Sequence, residues 1–124
     1  MASILVIEDN AANMRLAVLL LEQAGHMVAC AGDAESGIAL ARAAAPDLIL
    51  MDIQLPGMDG LAATSVLKRD PRAAAIPVIA LTALAMKEDE ERSIRAGCDG
   101  YIAKPLRYKD LYALIDSLLP AAAS

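Results

Sequence analysis

Short apolar segments alternate with longer segments of mixed polarity along the chain. The apolar segments are rich in Ile, Leu and Val, whereas the longer segments have a helical pattern. This alternation, repeated five times, predicts βα units and a parallel sheet. The strand candidates are ILVIE at 4–8, HMVACA at 26–31, LILMD at 48–52, VIALT at 78–82 and YIAK at 101–104.

Residues typical of helix ends separate the strand candidates. Asn10 and Asp33 are good N-cap residues. Gly25 and Gly97 stand where helices are expected to end. We predict five helices, which start near Asn10, Asp33, Leu61, Met86 and Tyr108.

The number of strands and their connections predict the fold class. Five strands joined by right-handed crossovers commonly take the order 2-1-3-4-5. The expected fold is therefore α/β: a (βα)5 doubly wound, parallel five-stranded sheet of the flavodoxin-like type. At 124 residues the chain suits one compact domain and leaves no room for a second domain of ordinary size.

Composition indicates how the core is built, and net charge argues against some classes of binding partner. Hydrophobic residues make up 57% of the chain, but Phe and Trp are absent, so we expect a core of Leu, Ile, Val, Ala and Met. The net charge of -5 opposes binding to nucleic acids or anionic membranes, which leaves a protein or small-ion partner. Neither a signal peptide nor a membrane-length apolar stretch is present, so we predict a cytoplasmic protein. Cys30 and Cys98 lack CxxC spacing and are expected to be reduced.

Polar side chains follow four of the five predicted strands. Glu8 and Asp9 come at the end of the first strand, Asp52 ends the third, Thr82 ends the fourth and Lys104 ends the fifth. The carboxyl ends of parallel strands share one edge of the sheet, and the predicted order makes strands one and three neighbours. We therefore expect these residues to converge on one site, with Asp9 beside Asp52.

The charges of this cluster predict a metal ion. Three carboxylates and one lysine sum to a charge of about -2. Two carboxylates about 4 Å apart repel by roughly 4 kcal/mol at an effective dielectric constant of about 20. Either their pKa values rise or a cation lies among them. An oxygen-only ligand set without His or Cys suits Mg²⁺.

A carboxylate beside Mg²⁺ can act as a nucleophile and form an aspartyl phosphate. In this interpretation Asp52 accepts the phosphoryl group, Lys104 and the metal neutralise its oxygens, and the Thr82 hydroxyl bonds the same group. Structural alternatives exist: Asp52 could close an Asx turn, and Thr82 could satisfy backbone groups at a strand end. Asn10 is expected to cap the first helix rather than to bind the metal.

The same residues, in this order, resemble the response-regulator receiver domain of two-component signalling, the CheY-like family, from about Ile4 to Leu118. The motifs that carry the resemblance are IEDN, MDIQLPGMDG, LTA and YIAKP. The resemblance implies that Asp52 is the phosphoacceptor and that Lys104 and Thr82 are its catalytic partners. It further implies metal ligation by Glu8, Asp9, Asp52 and the backbone carbonyl of Gln54, a switch made of Thr82 and Tyr101, and a cis peptide between Lys104 and Pro105.

Within this family the chain looks most like stand-alone, DivK-like receivers. The resemblance implies that a histidine kinase or a histidine phosphotransfer protein donates a phosphoryl group from phosphohistidine to Asp52 in a Mg²⁺-dependent reaction. The resemblance also implies a signalling protein rather than an enzyme. Phosphorylation is expected to change how the face formed by helix 4, strand 5 and helix 5 binds a downstream protein target. We expect one receiver domain over 1–124, with its core at about 4–118, no output domain, and a monomer or weak dimer.

Several interpretations stay open at this point. Leu16, Leu19 and Leu20 fall outside the apolar stripe of the first helix, which indicates either a partner site or a wider buried face. Leu84 is apolar where a polar side chain could position attacking water, which predicts slow loss of phosphate. A hydrolase would need an acid where Gln54 stands. A flavin or nucleotide carrier would need a Gly-rich or Ser/Thr-rich loop after strand one, and a purely structural interaction module is the remaining alternative.

Overall fold

The computed structural model describes residues 2–82, 87–104 and 106–119, except for the side chain of Asp89. Within these residues five strands alternate with five helices. The strands are β1 (Ser3–Ile7), β2 (Met27–Ala31), β3 (Leu48–Asp52), β4 (Val78–Thr82) and β5 (Gly100–Ala103). The helices are α1 (Ala11–Gln23), α2 (Ala34–Ala44), α3 (Gly60–Lys68), α4 (Lys87–Ala96) and α5 (Tyr108–Leu118). Leu84, the helix start near Met86 and the predicted cis peptide at Pro105 lie outside the described residues.

All five strands run parallel in the order β2-β1-β3-β4-β5, which confirms the predicted doubly wound sheet. The register brings the carboxyl ends of the strands level with one another. Asp52 lies beside Leu81, and Thr82 lies beside Ala103. Because β1 and β3 are neighbours, the residues that follow them meet where the strand order reverses.

Two aliphatic clusters fill the two faces of the sheet, as expected for a chain without Phe or Trp. Successive residues of β3 alternate between the clusters: Ile49 and Met51 pack with α2 and α3, while Leu48 and Leu50 pack with α1 and α5. Every residue of β3 and β4 is buried, so these strands are continuous apolar runs in the sequence. The strand β2 is largely exposed at the sheet edge.

Side-chain caps begin three of the described helices. Asn10 and Asp33 each accept a backbone N–H three residues further on, at 2.9 and 2.7 Å, which confirms both predicted N-caps. Asp59 caps α3 in the same way at 2.8 Å, so this helix begins one residue earlier than predicted. Gly25 and Gly97 adopt positive φ angles just after α1 and α4, as helix ends favour. No helix in the described parts of the chain is long and apolar enough to cross a membrane.

The helix α1 exposes part of its apolar surface. The exposed fractions are 36% for Leu16 and 52% for Leu19, so the predicted patch exists at these two residues. Leu20 follows the other alternative, a wider buried face: it packs against the core, and its carbonyl accepts a hydrogen bond from Tyr112 Oη at 2.7 Å. The Tyr108 ring meets the Tyr112 ring edge-on with centroids 6.0 Å apart.

Candidate functional site

Three side chains converge where β1, β3 and β5 end. Glu8 follows β1, Asp52 closes β3 and Lys104 follows β5. The Nζ of Lys104 donates to Glu8 Oε1 at 2.6 Å and to Asp52 Oδ2 at 3.1 Å. The exposed fractions of the two carboxylate side chains are 1% and 3%, so solvent screens these ion pairs only weakly. The strand order thus brings together three residues that are far apart in the sequence.

The two oxygens of Asp52 have different partners. Oδ1 accepts the backbone N–H of Gln54 at 2.9 Å, which is the Asx turn considered as a structural alternative. Oδ2 accepts from Lys104 on the side of the acidic cluster. The turn therefore fixes the orientation of the carboxylate, and a structural role for Oδ1 is compatible with chemistry at the same side chain.

The loop after β3 turns back so tightly that α3 begins against the backbone of Asp52. The N–H of Gly60 donates to the carbonyl of Ile53 at 3.2 Å. A Cβ at Gly60 would lie 2.7 Å from Ile53 Cα and would overlap the carbonyl oxygen of Asp52. Glycine is required here by the close approach of two backbones. The sequence carries no signal of this contact beyond a glycine in a loop.

Asp9 completes an acidic group with Glu8 and Asp52. One carboxylate oxygen of each residue lies within 4.8 Å of the others, and Asp9 is the exposed member. Oε2 of Glu8 is buried and has no hydrogen-bond partner among the described residues. These donors fit a hard divalent cation, which would supply positive charge and also a partner for the unpaired oxygen.

The pKa values of Glu8 and Lys104 are both raised, in a site where one lysine faces three carboxylates. Burial, followed by the hydrogen bond and charge of Asp52, raises the pKa of Glu8 from 4.5 to about 7, although Lys104 acts in the opposite direction. For Lys104, burial lowers the pKa, but the hydrogen bonds and charges of Glu8 and Asp52 outweigh burial, so the pKa is raised. Lys104 therefore stays charged, and the raised pKa of Glu8 is one of the two alternatives expected for clustered carboxylates.

Thr82 and Tyr101 lie at different depths along the same edge. Thr82 is buried at the end of β4 and directly follows Leu81, the register partner of Asp52. Tyr101 lies two residues before the end of β5, is half-buried, and packs with apolar side chains of β4 and α3. Gln54 is exposed, and its backbone N–H is the group that bonds Asp52. The phosphoryl-contact, switch and metal-ligand roles of these residues stay predictions.

Two further residues lie near the site, although nothing in the sequence pattern predicts that they would. Asn13, inside α1, and Leu106, just before α5, line a small cavity together with Glu8 and Lys104. Only packing of α1 against the ends of β4 and β5 places them there. The two cysteines, by contrast, lie outside the acidic cluster: both are free, and burial raises the pKa of each thiol, as expected for unreactive thiols.

The doubly wound sheet gathers three carboxylates and a lysine at its carboxyl edge, which is where sheets of this kind bind their ligands. The chain belongs to the response regulator receiver domain family, whose sequence model matches residues 4–116. It is therefore a phosphoacceptor protein of two-component signalling rather than a classical enzyme, with a histidine kinase as the implied class of phosphodonor.

Relatives and solved structures agree with this assignment. Over 117 residues the chain is 45% identical to the polar-differentiation response regulator DivK of Brucella anthropi, a match that covers 94% of this chain and 95% of DivK. The receiver domain of the sensor histidine kinase PA1611 from Pseudomonas aeruginosa is 32% identical with a TM-score of 0.88, over 94% of this chain and 96% of that one. That structure holds a magnesium ion coordinated in its active-site cleft. The signal receiver domain of a histidine kinase from Syntrophus aciditrophicus is 32% identical with a TM-score of 0.87, over 96% and 90% of the two chains.

Proposed function

We propose that this receiver accepts a phosphoryl group on Asp52 from the phosphohistidine of a histidine kinase or of a histidine phosphotransfer protein. The observation that carries the proposal is the position of Lys104 Nζ, which contacts Asp52 Oδ2 at 3.1 Å and Glu8 Oε1 at 2.6 Å. An incoming phosphoryl group at Asp52 would therefore meet the half-buried positive charge of Lys104. The family assignment supports the class of reaction.

The transfer exchanges one bond to phosphorus for another. A carboxylate oxygen of Asp52 forms a bond to phosphorus while the phosphorus–nitrogen bond of the phosphohistidine breaks. The histidine nitrogen keeps the electron pair of the broken bond, and Asp52 becomes an acyl phosphate. The Asx turn on Gln54 holds the Asp52 carboxylate in one orientation beforehand, which favours the reaction by limiting side-chain freedom.

We further propose that the reaction depends on Mg²⁺ held by Glu8, Asp9, Asp52 and the backbone carbonyl of Gln54. When bound, Mg²⁺ would neutralise charge that develops on the phosphoryl oxygens. Support comes from the three carboxylate oxygens within 4.8 Å of one another and from the unpaired Oε2 of Glu8. The magnesium ion in the PA1611 receiver supports the choice of metal.

Output is proposed to pass through protein contacts on the face formed by α4, β5 and α5. Thr82 would bond the phosphoryl group, and a shift of Tyr101 would change the shape of this face. A groove of about 640 Å³ runs along β5 and α5, with Tyr101 and Arg107 among its lining residues. This groove offers a docking place for a downstream protein target. The cytoplasmic location and the monomeric or weakly dimeric state stay predictions.

Intact-mass spectrometry after incubation with acetyl phosphate tests the proposal. The wild type is expected to gain one phosphoryl group with Mg²⁺ and none when EDTA removes the metal, and Asp52→Asn should gain none. Asp116→Asn, an exposed replacement on α5, is the matched control and should react like the wild type. An adduct on Asp52→Asn would refute the assignment of the acceptor. A wild type that takes no phosphate from acetyl phosphate or from a phosphohistidine donor would leave the structural interaction module as the function.

A further inference from the structure

A small cavity adjoins the site between α1, the end of β4 and the segment before α5. Its volume is about 30 Å³, whereas a buried water needs about 10–15 Å³ and two to four polar partners. Glu8, Asn13 and Lys104 contribute polar groups to its wall. The other lining residues are Leu16, Leu81 and Leu106. The cavity therefore has the size and the polarity to hold one water molecule.

The polar groups of the wall have unused hydrogen-bonding capacity. A lysine ammonium has three N–H donors, and Lys104 uses two of them, toward Glu8 and Asp52. Within the described residues its third donor has no acceptor. Asn13 donates its backbone N–H to Asn10 Oδ1 at 2.9 Å, but its side-chain amide bonds no group in the described parts of the chain. An unused donor and an unused amide thus line the same cavity.

We propose that Asn13 is a positioning residue, which acts on Lys104 through one water held in this cavity. The water accepts the third N–H of Lys104 and donates to Asn13 Oδ1 and to the Glu8 carboxylate, so all three donors of the ammonium are engaged. The proposal rests on the proposed function, in which Lys104 meets the phosphoryl oxygens. It adds a contact from α1 to a lysine whose ammonium otherwise bonds only Glu8 and Asp52 in the described parts of the chain.

The arrangement has a physical consequence for Lys104. The Lys104 side chain is long and flexible, and its hydrogen bonds to Glu8 and Asp52 leave one of the three ammonium N–H groups without a fixed acceptor in the described parts of the chain. A third partner, reached through the water in the cavity, fixes the direction of the remaining N–H before the phosphoryl group arrives. Asn13 therefore does not touch the reacting atoms, and its loss should change the rate of phosphorylation rather than the identity of the acceptor.

Nuclear magnetic resonance of the lysine ammonium groups tests the water directly. In wild-type protein labelled with ¹⁵N-lysine and held at low temperature, the ammonium protons of Lys104 should show cross-relaxation with a bound water. Lys104→Arg assigns the signal. In Asn13→Leu, a change of similar size that removes the amide, the cross-relaxation should be lost and the Lys104 signal should shift. Absence of the water contact in the wild type would overturn the proposal.

Phosphorylation kinetics provide the second readout. With acetyl phosphate and Mg²⁺, Asn13→Leu should react about tenfold more slowly, the value of one hydrogen bond to a charged group. Asn13→Ser keeps a polar group and leaves room for water, so it should retain most of the wild-type rate. Ala12→Leu places the same apolar side chain on the exposed face of α1 and should leave the rate unchanged.

The outcomes separate this proposal from the proposed function. A rate for Asn13→Leu equal to that of the wild type, or an equal loss in Ala12→Leu, would refute the positioning role. The resonance measurement needs no phosphorylation, so a wild type that fails to take phosphate would refute the proposed function and leave the water contact independently tested.

Discussion

Replacing Glu8 by glutamine should make the metal-free protein more stable at neutral and alkaline pH. Burial and then the neighbouring Asp52 raise the pKa of Glu8 from 4.5 to about 7, even though Lys104 opposes them. Since one pKa unit corresponds to about 1.4 kcal/mol, a shift from 4.5 to about 7 means that the ionised carboxylate lowers the free energy of unfolding by at most roughly 3 to 4 kcal/mol. Glutamine keeps an oxygen that can accept from Lys104 and removes the buried charge.

The pH dependence of this effect has a definite sign. Below pH 4.5 the Glu8 carboxyl is protonated in both the folded and the unfolded chain, and its stabilising contribution is complete. Between pH 4.5 and about 7 the folded state binds more protons than the unfolded state, so the free energy of unfolding falls as the pH rises. Above about pH 7 the contribution of Glu8 is lost. The curve of Glu8→Gln should lack this component.

Urea denaturation followed by circular dichroism in EDTA, from about pH 5 to about pH 8, measures both proteins. Glu22→Gln makes the same replacement at an exposed position of α1, and it should change the free energy of unfolding by less than about 0.5 kcal/mol. Added Mg²⁺ should stabilise the wild type more than Glu8→Gln, because the proposed metal site of the folded protein includes the Glu8 carboxylate. Parallel pH curves, with Glu8→Gln no more stable than the wild type at about pH 8, would refute the reasoning.

Other variants test neighbouring parts of the structure. Gly60→Ala should lower the free energy of unfolding by about 2 kcal/mol or more, because its Cβ would meet backbone atoms of β3 and the residue after it; urea denaturation measures this. Lys104→Met should destabilise the metal-free protein by about 3 kcal/mol at about pH 8 and by less at about pH 5, since it leaves buried carboxylates without their cation. The backbone and then the side chain of Arg72 help to hold the pKa of Asp70 at about 2. Asp70→Asn should therefore melt below the wild type at neutral pH, with a difference that is lost as the pH falls through about 2. The apolar Leu84 predicts that the isolated phosphoprotein keeps its phosphate for minutes or longer, and a half-life of seconds by intact-mass spectrometry would contradict this.

The fold was predictable because each step depends on local pattern and handedness. Alternating apolar and helical segments predict βα units, and right-handed crossovers restrict the strand order. Those two facts are enough to place Glu8, Asp9, Asp52 and Lys104 at one edge before any distance is known. The first and fifth strands each begin and end one residue earlier than predicted, but this did not matter, because Glu8 and Lys104 stand at the carboxyl ends of these strands in either assignment.

The remaining features depend on distances between elements, which no local pattern contains. The backbone approach that requires glycine at Gly60 is set by how tightly the loop after β3 closes. The place of Asn13 beside Lys104 depends on how α1 packs on the sheet, since residues from both line the same cavity. The periodicity of α1 left open whether Leu20 is exposed or buried, because its packing depends on contacts with α5. In each case the feature depends on tertiary contacts between elements that are distant in the sequence.

The site is unfavourable for the folded chain taken alone, and this is itself an argument about function. A buried carboxylate with a pKa of about 7 and an unpaired oxygen destabilises the fold, and an apolar or amide side chain at Glu8 would remove that cost. Lys104 compensates only part of the charge, because one ammonium faces two buried carboxylates and the exposed Asp9. The deficit of positive charge is the property that a divalent cation would correct. The strained electrostatics of the metal-free site and its proposed affinity for Mg²⁺ therefore have the same physical origin, and Glu8→Gln should reduce both together.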